Sequence, residues 1–173
     1  FQRINCQQNY RVSNCLMFRK VNHVHFVGIG GIGMSGIAEL LLNLGFKVSG
    51  SDLHESPIII SLMNKGAKIH FGHDRDNLTN SDVLVYSSAV HDDNPEILVA
   101  QEIGIPVIKR AEMLGELIAL KPTSIAIGGT HGKTSTTSII GSVLSEAKLE
   151  PTLVVGGHVK NMSLIHISAP KRR

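Results

Sequence analysis

Three glycines at the spacing Gly28-x-Gly30-x-x-Gly33 are the first residues whose pattern could do chemistry. They follow an apolar run at 24–27 and precede a helical pattern. In that position they permit a tight turn and a close approach of backbone amides to a phosphate. Asp52 ends the second predicted strand, where its carboxylate could accept a hydrogen bond from a ribose hydroxyl. Together these features predict a nucleotide-binding site. The alternative is a plain tight turn with Asp52 as a local cap.

A second glycine-rich segment follows another apolar run and opens another helical pattern. It comprises Gly129, Thr130, His131, Gly132, Lys133, Thr134 and Ser135. Its backbone amides would surround phosphates, Lys133 would offset their charge, and the Thr134 hydroxyl could bind Mg²⁺. The segment departs from the general phosphate-loop pattern, because Ile127 stands where that pattern has glycine. The alternative is a turn with one exposed lysine. A simple dehydrogenase would leave this loop unexplained, and a simple ATPase would leave the first loop unexplained.

Short β-branched runs alternate with helical patterns, which predicts an α/β fold with a parallel sheet. Strands are predicted at 24–27, 47–52, 68–71, 83–86 and 106–108, with helices ending at Leu44 and spanning 57–66, 95–103 and 111–120. The predicted organisation is a poorly defined lead-in (1–20), a Rossmann-like domain (21–121) and a truncated phosphate-loop domain (122–173).

The phosphate-loop domain is predicted to have few elements. They are a strand at 124–127, a helix at 135–147 and a strand at 152–155. A sheet of two strands cannot bury its own faces. We therefore expect this domain to be cut short.

Positive charge is concentrated at the two ends of the chain. Of 17 basic residues, seven lie in 1–20 and 169–173, which leaves ten against 14 acidic residues elsewhere. A mildly acidic body with no tryptophan and 4% aromatic residues argues against a nucleic-acid partner. The uncharged run at 21–38 contains too many glycines and polar residues for a membrane span. Cys6 and Cys15 lack zinc-site spacing and predict free thiols, so we expect a cytoplasmic protein.

Several longer stretches resemble the Mur ligase family of bacterial cell-wall synthesis. They are the segment from His25 to Glu39, Gly50-Ser51-Asp52, Ser87-Ser88-Ala89, Asn94-Pro95-Glu96 and the segment from Arg110 to Leu114. With histidine at position 131, the second loop resembles that of the family member that adds L-alanine, whereas several other members of the family carry asparagine there. The resemblance covers about residues 21–161, and 162–173 show no match to the family.

The resemblance implies a three-domain ligase of peptidoglycan precursor synthesis that uses ATP to join L-alanine to UDP-N-acetylmuramate through an acyl phosphate. It implies that the UDP-sugar is held by Gly28, Ile29, Gly30, Gly31, Ile32, Gly33, Met34, Asp52, Ser87 and Ser88. It further implies that 129–135 bind ATP, with Lys133 and Thr134 catalytic and Thr134 a ligand of Mg²⁺. Because the rest of such an enzyme has no counterpart in these 173 residues, we expect this chain alone to be inactive.

Two other functions remain open from the residues alone. A nicotinamide-dependent oxidoreductase would use the first loop and Asp52, and a non-catalytic nucleotide-binding module would need nothing further. Lys109 and Arg110 could contact a diphosphate, but a solvated helix start explains them equally well. The histidines show no metal-ligand spacing. The sequence predicts no oligomeric state.

Overall fold

The computed structural model describes residues 21–120, 123–149 and 151–155. The predicted lead-in (1–20) and the segment from residue 156 onward lie outside the described residues. Structural statements below concern the described ranges.

Five strands form one parallel sheet in the order β3-β2-β1-β4-β5. They are β1 (His23–Val27), β2 (Lys47–Asp52), β3 (Lys68–Phe71), β4 (Val83–Tyr86) and β5 (Val107–Lys109). The chain moves outward from β1 to β3 and then returns to the other side of β1, as doubly wound nucleotide-binding domains do. The predicted Rossmann-like α/β fold is confirmed, and each predicted strand of this sheet is correct to within one residue.

Four helices accompany the sheet, and local sequence explains where they begin and end. They are α1 (Ile32–Asn43), α2 (Pro57–Asn64), α3 (Pro95–Glu102) and α4 (Arg110–Ala119). Ser56 caps α2, where its Oγ accepts a hydrogen bond from the Ile59 amide at 3.3 Å. Asn94 caps α3 in the same way, through the Glu96 amide at 2.9 Å. Gly45, with φ +90°, ends α1 in the left-handed conformation that favours glycine. No helix in the described ranges is long and apolar enough to cross a membrane.

The two faces of the sheet are covered differently. On one face, α1, α2 and α4 enclose the larger apolar cluster, which includes Phe26, Leu41 and Met113. On the other face, α3 covers a smaller cluster that includes Leu84 and Ile97. Beside this smaller cluster the same face carries buried polar side chains, which lie beneath the site described below.

The part of the chain at 123–155 contains one helix, α5 (Lys133–Glu146), close to its predicted position. The strands predicted at 124–127 and 152–155 are wrong, since neither segment has regular secondary structure or pairs with the sheet. A strand needs a neighbour for its backbone groups, and no described strand lies beside these segments. Apolar side chains on α5 are correspondingly exposed, Ile139 at 64% and Val143 at 63%.

Candidate functional site

The predicted substrate residues gather where the strand order reverses. β1 lies between β2 and β4, and all three end at the same edge because the sheet is parallel. The glycine-rich loop (28–33) follows β1, Asp52 ends β2, and Ser87 and Ser88 follow β4. In a doubly wound sheet the ligand crevice lies at this reversal. The fold thus brings three separate segments to one crevice.

The glycine-rich loop is held against the end of β2. The amides of Gly28 and Ile29 both donate to the Ser51 carbonyl oxygen, at 2.9 and 3.1 Å. The Gly30 amide donates to Asp52 Oδ2 at 2.8 Å. A Cβ on Gly30 would lie 2.8 Å from that same oxygen, so a larger residue would push the carboxylate away. Asp52, the predicted acceptor for a ribose hydroxyl, therefore uses one of its two carboxylate oxygens, Oδ2, to hold the loop.

Two amides at the start of α1 have no acceptor. α1 begins at Ile32, and its N-cap, Gly31, has no side chain to cap the helix. Within the described ranges, the amides of Ile32 and Gly33 donate to no other group. Free amides at this position carry the positive end of the helix dipole and bind anionic oxygens.

Arg110 brings a cation to these same amides. It is the exposed first residue of α4, and its Cζ lies 3.1 Å from the position that a Cβ on Gly33 would take. Gly33 thus makes room for the guanidinium. No carboxylate in the described part of the chain pairs with Arg110. The guanidinium is therefore available to an anion, for which its fork of donors is suited.

Two predicted substrate residues turn their side chains into the core. Ile29 and Met34 are 0% and 1% exposed and belong to the larger apolar cluster. Only their main-chain atoms could contact a ligand. The Met34 amide already donates to the Gly31 carbonyl oxygen at 2.9 Å, so the structure gives Met34 a packing role.

The turn after β4 forms the other wall of the crevice. Val90 Cγ2 lies 3.5 Å from the position of a Cβ on Gly28, so this turn packs on the glycine-rich loop. Ser87 is half-buried, and its Oγ accepts a hydrogen bond from the Ala89 amide at 3.1 Å. Ser88 is exposed, with no hydrogen bond from its hydroxyl to the described residues. Of the two predicted serines, Ser88 is the freer to bind a ligand.

The second glycine-rich segment forms a loop at the start of α5. Gly129 and Gly132 have φ +151° and +74°, left-handed values that favour glycine. Lys133 Nζ donates to the carbonyl oxygens of Gly129 and Thr130, at 2.5 and 3.1 Å. All residues from 129 to 135 are exposed. The loop therefore presents its lysine ammonium and the helix start together on an open surface.

The Thr134 hydroxyl fits the predicted role of a Mg²⁺ ligand. It is exposed and makes no hydrogen bond to any described residue. In the described ranges, no group of three or more His, Cys, Asp or Glu could hold a metal ion. A Mg²⁺ at Thr134 would thus depend on phosphate oxygens and water for its other ligands.

A buried carboxylate beneath the first loop was not predicted from the sequence. Glu96 on α3 is 0% exposed and accepts hydrogen bonds from Ser51 Oγ, His25 Nε2 and Asn77 Nδ2, at 2.7, 3.0 and 2.7 Å. Burial alone raises the pKa of Glu96, but these hydrogen bonds outweigh burial and hold the pKa below its ordinary value. The available signal was the alternation of polar residues along β1 and β2, in a parallel sheet whose faces should both be apolar.

A family comparison covers most of the first domain. Residues 23–122 match the model described as "Mur ligase family, catalytic domain". This range contains the glycine-rich loop, Asp52, the two serines and Arg110.

Curated relatives are more than half identical to this chain over the residues that align. The UDP-N-acetylmuramate–L-alanine ligase of Persephonella marina is 57% identical over 145 residues, covering 83% of this chain and 31% of that protein. The enzyme of the same name from Pelobacter propionicus is 60% identical over 141 residues, covering 82% and 30%. The chain therefore spans about a third of the length of the curated relatives it matches.

Two solved structures have a closely similar fold. The UDP-N-acetylmuramate-alanine ligase from Thermotoga maritima superposes with a TM-score of 0.76 at 34% identity, covering 83% of this chain and 34% of that one. The UDP-N-acetylmuramate:L-alanyl-gamma-D-glutamyl-meso-diaminopimelate ligase from Neisseria meningitides gives 0.75 at 31% identity, covering 83% and 45%. The names of both enzymes contain the same UDP-sugar and differ in what is joined to it.

Proposed function

Because the chain belongs to the Mur ligase family, we propose that residues 21–121 bind UDP-N-acetylmuramate as part of a ligase that adds L-alanine to it. The anion site at the start of α1 carries the proposal. A diphosphate there would meet the free amides of Ile32 and Gly33, the helix dipole and the Arg110 guanidinium. The names of the curated relatives supply the identity of the sugar nucleotide.

The remaining groups of the crevice suit the sugar parts of that substrate. Asp52 Oδ1 holds only a long hydrogen bond, 3.3 Å from the His54 amide, and can accept a ribose hydroxyl. The Ser88 hydroxyl, free on the opposite wall, can bind the amino sugar. Binding by these distant groups would position the muramyl carboxylate for reaction.

We assign ATP to the loop at 129–135. Its amides and the Lys133 ammonium would stabilise negative charge on the transferring phosphoryl group. Mg²⁺, held at Thr134, would neutralise phosphate charge. In the proposed reaction the muramyl carboxylate takes the γ-phosphoryl group of ATP, and the alanine amine then displaces phosphate to form the amide.

The choice of L-alanine rests on the names of the curated relatives alone. The Neisseria enzyme matches the same share of this chain under a different name. The shared region therefore supports recognition of the UDP-sugar more strongly than recognition of the amine.

We propose that these 173 residues bind the nucleotide without completing the reaction. The relatives hold about two-thirds of their length in residues with no counterpart here. The location we propose for the reaction is the cytoplasm.

Calorimetric titration tests the proposal. The chain should bind UDP-N-acetylmuramate saturably and show no saturable heat with NADH. Binding of NADH but not of UDP-N-acetylmuramate would overturn the assignment of the first loop. Phosphate release that depends on both UDP-N-acetylmuramate and L-alanine would overturn the proposed inactivity.

A further inference from the structure

A continuous row of hydrogen bonds runs beneath β1 and β2. His23 joins the Asn80 carbonyl oxygen through Nδ1 at 2.9 Å, and Ser49 Oγ through Nε2 at 2.9 Å. His25 joins Ser49 Oγ through Nδ1 at 2.8 Å, and Glu96 Oε2 through Nε2 at 3.0 Å. The strand register explains the central link, because His25 and Ser49 are directly paired residues of neighbouring strands. We refer to these five residues as the buried row.

Both ends of the buried row are acceptors. Asn80 offers a carbonyl oxygen and Glu96 offers a carboxylate, so neither end supplies a proton. The four hydrogen bonds of the row need four protons. Two neutral imidazoles and one hydroxyl supply only three. One of the two histidine rings must therefore carry an extra proton if all four bonds are made.

Glu96 does not take that proton. Besides His25 it accepts hydrogen bonds from Ser51 Oγ, Asn77 Nδ2 and the Asp74 amide, at 2.7, 2.7 and 3.3 Å. Together with His25, these donors occupy the roughly four lone-pair positions of an ionised carboxylate. The extra proton thus resides on the imidazoles.

Charged groups of both signs surround the buried row. The titratable or charged groups that face it are His70 and Lys68 on β3, His73 and Asp74 after β3, and Asp82 before β4. Lys47, at the start of β2, is the direct strand partner of His23. Hydrogen bonds from the amides of Asn22 and His23 lower the pKa of Asp82. The Asp82 carboxylate therefore keeps its negative charge beside the His23 ring. Burial, and then Lys68, lower the pKa of His70, so this ring adds no opposing positive charge at neutral pH.

The charged end of the buried row is connected to the glycine-rich loop. Glu96 Oε2 accepts from Ser51 Oγ, which in turn lies 2.9 Å from His73 Nδ1. The carbonyl oxygen of the same serine accepts the amides of Gly28 and Ile29. Ser51 is thus fixed by the buried row on one side and fixes the loop on the other.

We propose that the buried row holds one shared proton and that this proton positions Ser51 and, through it, the glycine-rich loop. Only the consequence for ligand affinity rests on the proposed function. When the proton leaves through half-buried His23, one hydrogen bond of the row is lost and Glu96 loses its cationic neighbour.

Nitrogen-15 spectra of the histidine rings test the proton count on the unmodified 173-residue chain. At pH 7 we expect the rings of His23 and His25 to carry three nitrogen-bound protons between them, one more than two neutral rings would hold. Two neutral rings at pH 7 would overturn the proposal. Because this measurement needs no variant, it decides the proton count even if a substitution prevents folding.

Amide spectra test the connection to the loop. In the unmodified chain, the amide shifts of Gly28 and Ile29 should change with pH in step with the rings. Glu96→Gln removes the charge that retains the proton and should abolish this joint change. Glu102→Gln makes the same substitution at the exposed end of the same helix and should preserve it. Loop amides that do not follow the rings in the unmodified chain would contradict the positioning role.

Affinity gives the final readout. Above the pH at which the buried row loses its proton, the dissociation constant for UDP-N-acetylmuramate should rise by up to about tenfold per pH unit. This rise should be seen in the unmodified chain and in Glu102→Gln. In Glu96→Gln it should be nearly independent of pH. If the ring and loop signals behave as expected and UDP-N-acetylmuramate fails to bind at any pH, the proposed function fails while the shared proton stands.

Discussion

Replacing Gly33 with alanine should weaken phosphate binding without weakening the fold. The added Cβ would lie 3.1 Å from Arg110 Cζ and 3.4 Å from its Cδ, in the space that the guanidinium now fills. The end of a long side chain moves more easily than backbone, so we expect Arg110 to swing away. In the first turn of α1, alanine is a better helix former than glycine by up to about 1 kcal/mol.

The loss of binding can be estimated from the contact that is displaced. A hydrogen bond to a charged group contributes about 1.5–3 kcal/mol, which corresponds to a dissociation constant roughly 10–150 times higher. Gly33→Ala and Arg110→Ala should each raise the dissociation constant for UDP-N-acetylmuramate by a factor in this range. The midpoint of thermal unfolding of Gly33→Ala should equal or exceed that of the unmodified chain.

A double-mutant cycle measured by calorimetry separates this mechanism from a direct clash between the new methyl group and the ligand. If Gly33→Ala acts by displacing the guanidinium, the double variant should bind no more weakly than the weaker single variant. Additive losses in the double variant would refute the reasoning, as would unchanged affinity in Gly33→Ala.

Three further perturbations test the packing and charges around the site. In a urea titration, Glu96→Ala should lower the free energy of unfolding by about 3–5 kcal/mol, because it leaves buried donors without an acceptor. The control Glu102→Ala, on the surface, should lower it by less than about 1 kcal/mol. Gly50→Ala should cost about 1–3 kcal/mol, since its Cβ would lie 2.7 Å from the Phe26 carbonyl oxygen; unchanged urea stability would show that β2 can yield there. The pKa values of Glu96 and Asp82 are below their ordinary values, so their stabilising effect is present at neutral pH and is lost as pH falls below about 4; a flat urea midpoint from pH 7 to pH 3 would contradict this.

The sheet and its helices could be predicted because local chemistry marks their boundaries. Proline at positions 57 and 95 starts helices behind capping side chains, and Gly45 stops one. β4, a parallel strand with three of its four residues buried, is a short apolar run that stands out from the helical pattern. The same rules predicted strands at 124–127 and 152–155, where the neighbouring strand that pairing requires is not present among the described residues.

Contacts between distant parts of the chain explain what the sequence did not show in the site. Arg110 lies beside Gly33 only because α4 packs next to α1, and no local pattern indicates that contact. Glu96 resembles an ordinary residue in the first turn of a helix until the start of α3 is placed beside His25 and Ser51. Its hydrogen bonds with His25 and Ser51 cross between three elements, so their pairing needed the strand order.

The most direct test of phosphate binding at α1 is a titration of the nitrogen-15-labelled chain with UDP-N-acetylmuramate, followed by amide shifts. The largest changes should fall on Ile32 and Gly33, whose amides are free in the structure, and they should saturate with increasing ligand. In Arg110→Ala the same amides should respond only at higher ligand concentration. If Ile32 and Gly33 stay unchanged while the ligand saturates the chain elsewhere, the proposed site is contradicted.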